Sequence, residues 1–351
     1  MHCTLLIPDL LLPRTLGTEP YERLRPAALS TLLARGTTAS RAEVAYEEWV
    51  CSAFGVAKQQ DVPVAPIMLS ADGNDPQHHY WLCADPIFLR ADRNRLVVAG
   101  RAADIDDSEA SALIAALNQH FAGDGMEFVA PSPQRWYLRS AGAPRLITTP
   151  IARAVNRSVE PNMPVGEDAL AWHRVINEAQ MILHAHPVNA AREERGAPVV
   201  NSIWLWGGGS MPASLHAPYA AVWSNDRLPR ALAAAAGVAH QNLPANCAAW
   251  TRDEQRMPLK AAATGEQHLL VLDGPTSALH RADIAAWHNE IAALEAHWIG
   301  PLLMALRARK IATLTLVACN NDNLLETPLA RSDQWRFWRR PQPLADYAGA
   351  A

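Results

Sequence analysis

Apolar positions change their spacing several times along the chain, and each change predicts a different element. Thr4 to Leu12 is a short apolar run holding one acid, Asp9. Such a run, bounded by turn residues, predicts a buried parallel strand. Residues 20–36 place Leu24, Ala28, Leu32 and Leu33 at helical spacing and close on Gly36, and a second helix is predicted over Ala42 to Phe54, closed by Gly55. From Val62 to about Ala152 the spacing shortens. Tyr80 to Cys83, Ile87 to Leu89, Leu96 to Val98 and Trp136 to Leu138 are separated by turn residues, as in a small antiparallel sheet. One helix interrupts them: Asp106 and Glu109 are spaced as a capping box, and Leu113, Ile114, Leu117 and Phe121 mark one face.

Helical spacing returns over residues 167–184, with Trp172, Val175, Ile176, Ala179, Ile182 and Leu183 on the apolar side and His186-Pro187 as the stop. Val199 to Trp206 reads as a strand ending at Gly207-Gly208-Gly209, and Tyr219 to Trp223 and Leu269 to Leu272 read as further strands. Ile284, Trp287, Ile291, Leu294 and Trp298 predict a long helix, bent or stopped at Gly300-Pro301. Ile311 to Ala318 predicts a late buried strand. The outer parts alternate strand and helix, while the middle reads as α+β. The fold class expected is α/β: a doubly wound, mainly parallel sheet formed by residues 1–62 and 200–351, with a smaller α+β domain, residues 63–199, inserted into it.

Composition narrows the function classes. The 351 residues suit two domains; 49% are hydrophobic, 19% are charged, and the formal net charge is −4. That balance argues against a nucleic-acid protein held by a basic field over its whole surface. No apolar run is long enough to span a bilayer, and the start of the chain lacks the basic region of a signal peptide. The 5 cysteines are scattered without a CxxC pair, so neither a zinc ribbon nor a disulfide framework is indicated, and a reduced cytoplasm is expected. The tryptophan count is high, at 12.

In an open parallel sheet, ligands bind beyond the carboxyl ends of the strands. Three predicted strand ends carry polar groups: Asp9; Asp273, with His280 and Asp283 following; and Cys319-Asn320-Asn321-Asp322. Such acids and histidines suit a divalent cation, and Asp273 and Asp283 equally suit turn and helix N-cap positions. Gly207-Gly208-Gly209 could admit a phosphate close to the backbone, but it is neither a dinucleotide fingerprint nor a P-loop. His78-His79, with Asp72 and Asp75, reads as a solvated loop, and no G-x-S-x-G marks a serine hydrolase.

Several segments, taken in order, resemble a known family. Residues 85–103 contain Ala99-Gly100-Arg101; His186-Pro187-Val188-Asn189 is followed by Arg192 and Gly196; Asn201 leads through Trp204 and Trp206 to the glycine triplet; and His280 to Leu303 ends Gly300-Pro301-Leu302-Leu303. Together these cover roughly residues 80–303 and resemble the archaeal-type cofactor-independent phosphoglycerate mutases of the alkaline phosphatase superfamily. The resemblance implies a phosphatase-like domain with an inserted substrate-binding domain, two divalent ions (manganese or zinc) and a serine nucleophile. The catalytic positions depart from that pattern. The first strand ends Asp9-Leu10 where the family has Asp-Gly; Thr37 to Glu43 lacks a Ser-Asp pair, leaving Ser40 as the nearest hydroxyl; and four residues before His280 stands Thr276, not an acid. Asn320 and Asn321 fall where the family has Asp-His, and Trp287 where it has a lysine. Asparagine is a neutral donor and a poor replacement for carboxylate or imidazole at such a centre.

The expectation is therefore a catalytically silent relative with a ligand-binding or regulatory role and no resident cofactor, similar to bacterial RpfE-type regulatory proteins. The alternative is an active metal-dependent mutase or phosphatase whose two ions are held by Asp9, Asp273, His280 and Asp322. For a surviving ligand site, expected in the cleft between domains, the resemblance points to Arg90, Arg101, Asn189, Arg192 and Asn201. Arginine there suits a small phosphorylated or carboxylate ligand. Salt bridges for the two leading arginines, and caps or turns for the asparagines, are the structural alternative. The segment Trp335-Arg336-Phe337-Trp338-Arg339-Arg340 interleaves aromatics with arginine. It is expected to pack on the domain with its arginines reaching outward rather than to bind nucleic acid. A protein partner, unidentified, fits the regulatory reading; a membrane does not.

Overall fold

The computed structural model describes residues 1–42, 44–93, 95–102, 104–254, 266–320 and 323–348. The chain divides into two compact units, Met1–Phe54 with Leu215–Ala351, and Gly55–Ser214. The first stretch holds β1 (His2–Pro8), α1 (Ala27–Arg35), β2 (Ala39–Ala42) and α2 (Tyr46–Ala53). The second unit holds α3 (Val64–Ala71), β3 (Tyr80–Asp92), β4 (Arg95–Arg101), α4 (Asp107–Phe121), β5 (Glu127–Ser132), β6 (Arg135–Ser140), α5 (Ile151–Ala154), α6 (Ala169–His184), α7 (Pro187–Glu194) and β7 (Ser202–Gly209). The chain then returns through β8 (Ala221–Trp223), α8 (Arg227–Ala235), β9 (Ala239–Gln241), α9 (Cys247–Glu254), β10 (Gln267–Val271) and α10 (Gly274–His280). It ends with α11 (Ile284–Leu294), α12 (Gly300–Arg307), β11 (Thr313–Cys319), β12 (Asn323–Ala330) and α13 (Leu344–Ala348).

In the first unit, seven strands run in the order β2-β12-β11-β1-β10-β8-β9. Five of them, β11, β1, β10, β8 and β9, are parallel. Leu5, Leu6 and Ile7 are all fully buried, as a strand covered on both faces requires. Strand β12 runs antiparallel to β11, and β2 antiparallel to β12. The sequence pattern does not announce β12, because Glu326 and Pro328 interrupt its apolar run. Pro328 is tolerated because β2 pairs with β12 only as far as Glu326, so the proline needs no ladder donor on that side. The helix expected from Ala42 starts later, at Tyr46, since Ala39–Ala42 is the edge strand.

The long helix does not stop at Gly300-Pro301. A single π turn, Glu295–Ile299, joins α11 to α12. Its wider hydrogen bond, from Gly300 N–H to the Glu295 carbonyl, relieves the clash a proline makes with the preceding turn. The turn also aims the Glu295 carboxylate at the start of α1, where it accepts from Ala28 N (2.5 Å) and Leu29 N (3.0 Å). That helix starts at Pro26 with no side-chain cap of its own, so Glu295 supplies it from 266 residues away.

In the second unit, β3 is the hub: it pairs with β4, β6 and β7, all antiparallel. Helices α4 and α6 close one face through Leu113, Leu117, Phe121, Trp172, Ile176 and Leu183, which pack in one core with Leu82, Leu138 and Leu205. The capping box forms: Glu109 N donates to Asp106 (2.9 Å) and Asp106 N to Glu109 (3.2 Å). The segments expected as two strands, Tyr80 to Cys83 and Ile87 to Leu89, are one continuous strand. The run Val199 to Trp206 lies in this unit, not with the parallel sheet, because β7 pairs with β3 from Trp81 to Ile87. The boundaries therefore fall at 54/55 and 214/215 rather than 62/63 and 199/200. An apolar run fits either sheet by composition; only backbone pairing decides. The glycine triplet serves packing here, since a Cβ on Gly208 would collide with the Tyr80 hydroxyl and one on Gly209 with Pro63.

Near the C-terminus the expected orientation is reversed. Trp335, Phe337 and Trp338 are exposed (70%, 75% and 67%). Arg336 and Arg339 turn inward, donating to the carbonyls of Arg35 (3.1 Å) and Gly36 (2.8 Å). These carbonyls end α1, where cationic donors are favoured. All five cysteines are free and buried. Among the described residues, no helix is long and apolar enough to cross a membrane.

Candidate functional site

The carboxyl end of the parallel sheet gathers the polar groups. Asp9 follows β1 with a left-handed φ of 55°. Its N–H donates to the Cys319 carbonyl (2.7 Å) and its carbonyl accepts from the buried Trp287 indole (2.9 Å). Thr276 Oγ1 donates to the Pro8 carbonyl (3.3 Å). Leu10, Leu11 and Leu12 then enter the core. So α10 and α11 fix the turn after β1, and an apolar residue follows the acid.

Asn320, at the end of β11, is almost fully buried. Its amide donates to Leu11 O (3.0 Å) and Leu12 O (3.3 Å), and its Oδ1 accepts from Asn323 N (2.9 Å). The side chain is a clasp between two strand ends. Asn321 and Asp322 lie outside the described residues.

On the other side of β1, Asp273 ends β10 at the N-cap position of α10. Burial first, then the charges of Asp226 and Glu290, raises its pKa above the usual carboxylate range. Asp226 ends the connection from β8 and caps α8 through Leu228 N (3.3 Å), and it accepts from the Tyr46 hydroxyl (2.6 Å). Burial first, then Asp226, Cys319 and Glu47, hold the Tyr46 pKa well above its ordinary value. Glu290 lies against the start of α10, where a Cβ on Gly274 would collide with its Oε2. Glu47, on α2, is buried and, with Asp9, helps raise the Cys319 thiol after burial itself. Asp226 and Glu290 act on Asp273 in the direction expected of like charges sharing a partly buried region.

His280 does not join them. It stands at the far end of α10 from Asp273, and seven helical residues span about 10 Å. Asp283 caps α11 through Ala286 N (2.8 Å). Ser40 lies on the exposed edge strand β2, opposite Leu325, not in a turn before a helix. Among the described residues, no group of three or more His, Cys, Asp or Glu side chains is placed to hold a metal ion. The donors described here, a clasped asparagine and an indole beside two strand-end acids, do not fit a two-metal centre.

Sequence reasoning missed Tyr46, Glu47, Asp226 and Glu290. Asp226 had a readable signal, a predicted strand followed by an acid before the Ala-rich stretch, which repeats the pattern around Asp273. The other three sit in ordinary helical spacing and carried none.

The five residues carried over as ligand contacts separate in the second unit. Asn189 is buried and donates to Leu183 O (2.7 Å) and Val200 O (2.8 Å), while accepting from Val200 N (2.8 Å). Arg192 is fully buried; it donates to Pro198 O (2.8 Å), Glu109 (2.6 Å) and Asp104, and Arg195 shares Glu109. Asn201 accepts from Leu89 N (2.7 Å) and donates to Leu89 O (2.9 Å). The polar atoms of these three complete backbone and ion-pair networks inside the unit. Arg101, about half exposed, reaches the buried Asp85 (3.1 Å), which also accepts from the Trp206 indole (2.6 Å). Arg90 is exposed on β3.

An open, mainly parallel sheet with acids on successive strand ends, interrupted in sequence by an α+β unit, is the alkaline-phosphatase-like architecture. The family model of 2,3-bisphosphoglycerate-independent phosphoglycerate mutases matches residues 85–189. A mutase of that description from Methanothrix thermoacetophila is 28% identical over 201 residues, 54% of this chain and 51% of its own length. One from Methanosarcina barkeri is 31% identical over 114 residues, 32% of this chain and 28% of its own. The chain thus matches about half, or less, of those relatives' length. The solved structure of the PH0037 protein from Pyrococcus horikoshii has a TM-score of 0.53 at 15% identity, covering 94% of this chain and 87% of that one, and it shares the fold. Over residues 85–189 the chain is similar to the cofactor-independent phosphoglycerate mutases.

Proposed function

We propose that this mutase-like protein is catalytically silent and works by binding, with a small phosphorylated or carboxylate ligand and a regulatory role like that of RpfE-type proteins. The observation that supports this reading best is the use made of Asn320. Its carboxamide, neutral and fully engaged by Leu11, Leu12 and Asn323, occupies the strand end where phosphoryl transfer needs charge. Two-metal phosphoryl transfer depends on anionic or imidazole ligands and on cations that neutralise the migrating group. The indole of Trp287 offers neither.

The test combines metal analysis of the purified chain with an assay of 2- and 3-phosphoglycerate interconversion in excess manganese, and calorimetric titration with both phosphoglycerates. The expected result is no turnover, with saturable binding of a phosphoglycerate in the absence of metal. Two tightly bound ions accompanied by turnover would establish the active alternative and overturn this reading.

A further inference from the structure

The segment after β12 inverts the ordinary arrangement of its side chains. Arg331, Arg336, Arg339 and Arg340 share it with one acid, Asp333, and Asp333 pairs with Arg336 at 2.8 Å. Arg336 and Arg339 bind the last carbonyls of α1. Arg35 donates in return to Gln334 O (2.8 Å), and Arg307 to Gln334 Oε1 (2.9 Å). These contacts from two helices lock the segment on the domain. The same lock turns Trp335, Phe337 and Trp338 into water, with Phe337 and Trp338 packed edge to face at 5.4 Å. Scattered exposed apolar residues are ordinary, but three large aromatics within four positions, held rigid and ringed by arginine, form a patch.

Three features choose the occupant. Basic charge dominates around the rings on a chain whose net charge is −4, so the patch complements an acidic partner. The rings expose roughly 400 Å² between them, about half of what each side of a stable dimer covers, and a second copy would set arginine against arginine. The edge-to-face packing of Phe337 on Trp338, and the use of two arginines on α1, leave a poor track for a phosphate backbone, which needs stacking faces and several cations. We infer that this face docks a short acidic segment of a partner protein, whose apolar side chains seat on Trp335 and Trp338 while its carboxylates meet Arg331 and Arg340. Tryptophan and arginine are the residues that most often anchor such contacts.

The test pans a random twelve-residue peptide display library against the full chain and measures the enriched peptide in solution. Enriched sequences are expected to combine Asp or Glu with aromatic or aliphatic residues. Affinity should fall tenfold or more in Trp335→Ala/Trp338→Ala, and again in Arg331→Glu/Arg340→Glu. Circular dichroism and melting temperature should stay at wild-type values, since the substituted side chains are exposed. An unenriched library, or an enriched peptide indifferent to both double variants, overturns the inference. So does tighter binding of an oligo(dT) probe that the tryptophan variant abolishes, or a dimer in sedimentation velocity that the same variant dissolves.

Discussion

Two polar clusters, one in each unit, look equally functional in sequence and differ in one physical respect. Around Arg192, two arginines face Glu109 and Asp104, and the asparagines beside them satisfy backbone groups atom for atom. Opposite charges face one another there, as buried structure demands. At the carboxyl end of the parallel sheet, Asp273 feels Asp226 and Glu290, and Cys319 feels Asp9 and Glu47. There the perturbing charges share one sign. A matched cluster holds a fold together; a cluster of like charges costs stability. Of the catalytic positions of the resemblance, Asp9, Asp273 and Asn320 fall at the second cluster while Ser40 and His280 stand apart from it; of its ligand contacts, Asn189 and Arg192 fall in the first.

The comparison breaks most visibly at Arg192. Arg192→Ala leaves the buried Glu109 with only the half-exposed Arg195 and takes away the cation of the exposed Asp104, and stability should fall by about 3–5 kcal/mol, read by urea denaturation. If the variant kept wild-type stability and lost only phosphoglycerate binding, the structural assignment would be wrong.

His268 gives the next largest effect. It is fully buried on β10, its Nε2 has no hydrogen-bond partner among the described residues, and burial depresses its pKa to about 4. The unfolded chain binds that proton near pH 6.5 while the native one does not, so stability is fully present above pH 6.5 and is lost as pH falls toward 4. The loss should reach about 2–3 kcal/mol. His268→Phe should flatten this part of the pH–stability curve; an unchanged slope would assign the acid sensitivity elsewhere.

Asn320→Ala should cost about 1–3 kcal/mol, because it strands the Leu11 carbonyl and the Asn323 amide. That loss, without any change in ligand binding, would sharpen the view of Asn320 as a clasp. The smallest effect has the opposite sign. Asp273 has a raised carboxyl pKa, so its ionisation weakens the fold as pH rises from the unfolded value through the folded one. Asp273→Asn should therefore slightly raise the melting temperature at pH 7 and leave it unchanged at pH 3. A lower melting temperature at pH 7 would mean that a cation partners this acid.

Much of the fold was legible. The capping box of α4, the amphipathic α6 and the buried strands β1, β10 and β11 depend on spacing that a reader of the sequence can see. What was not legible involved distant partners. Pro301 reads as a stop, and only Glu295 reaching α1 gives the π turn a purpose. The arginines at 336 and 339 read as outward-facing because nothing local reveals that α1 ends beneath them. At the candidate site, Asp9, Asp273 and Asn320 were found from strand ends, but Glu47, Glu290 and Tyr46 came from helices whose facing partners are far off in sequence.

The sequence by itself determined the periods of the elements, the α/β class, and the polar groups at the strand ends. It also carried the resemblance to the mutases. Tertiary structure alone decided that β7 joins β3, that Arg192 and the two asparagines are internal fastenings, and that three aromatics face water. The physical reason is range. Hydrophobic period and capping act within a few residues, whereas the role of a polar side chain depends on the donor, acceptor or charge that folding brings against it from elsewhere in the chain.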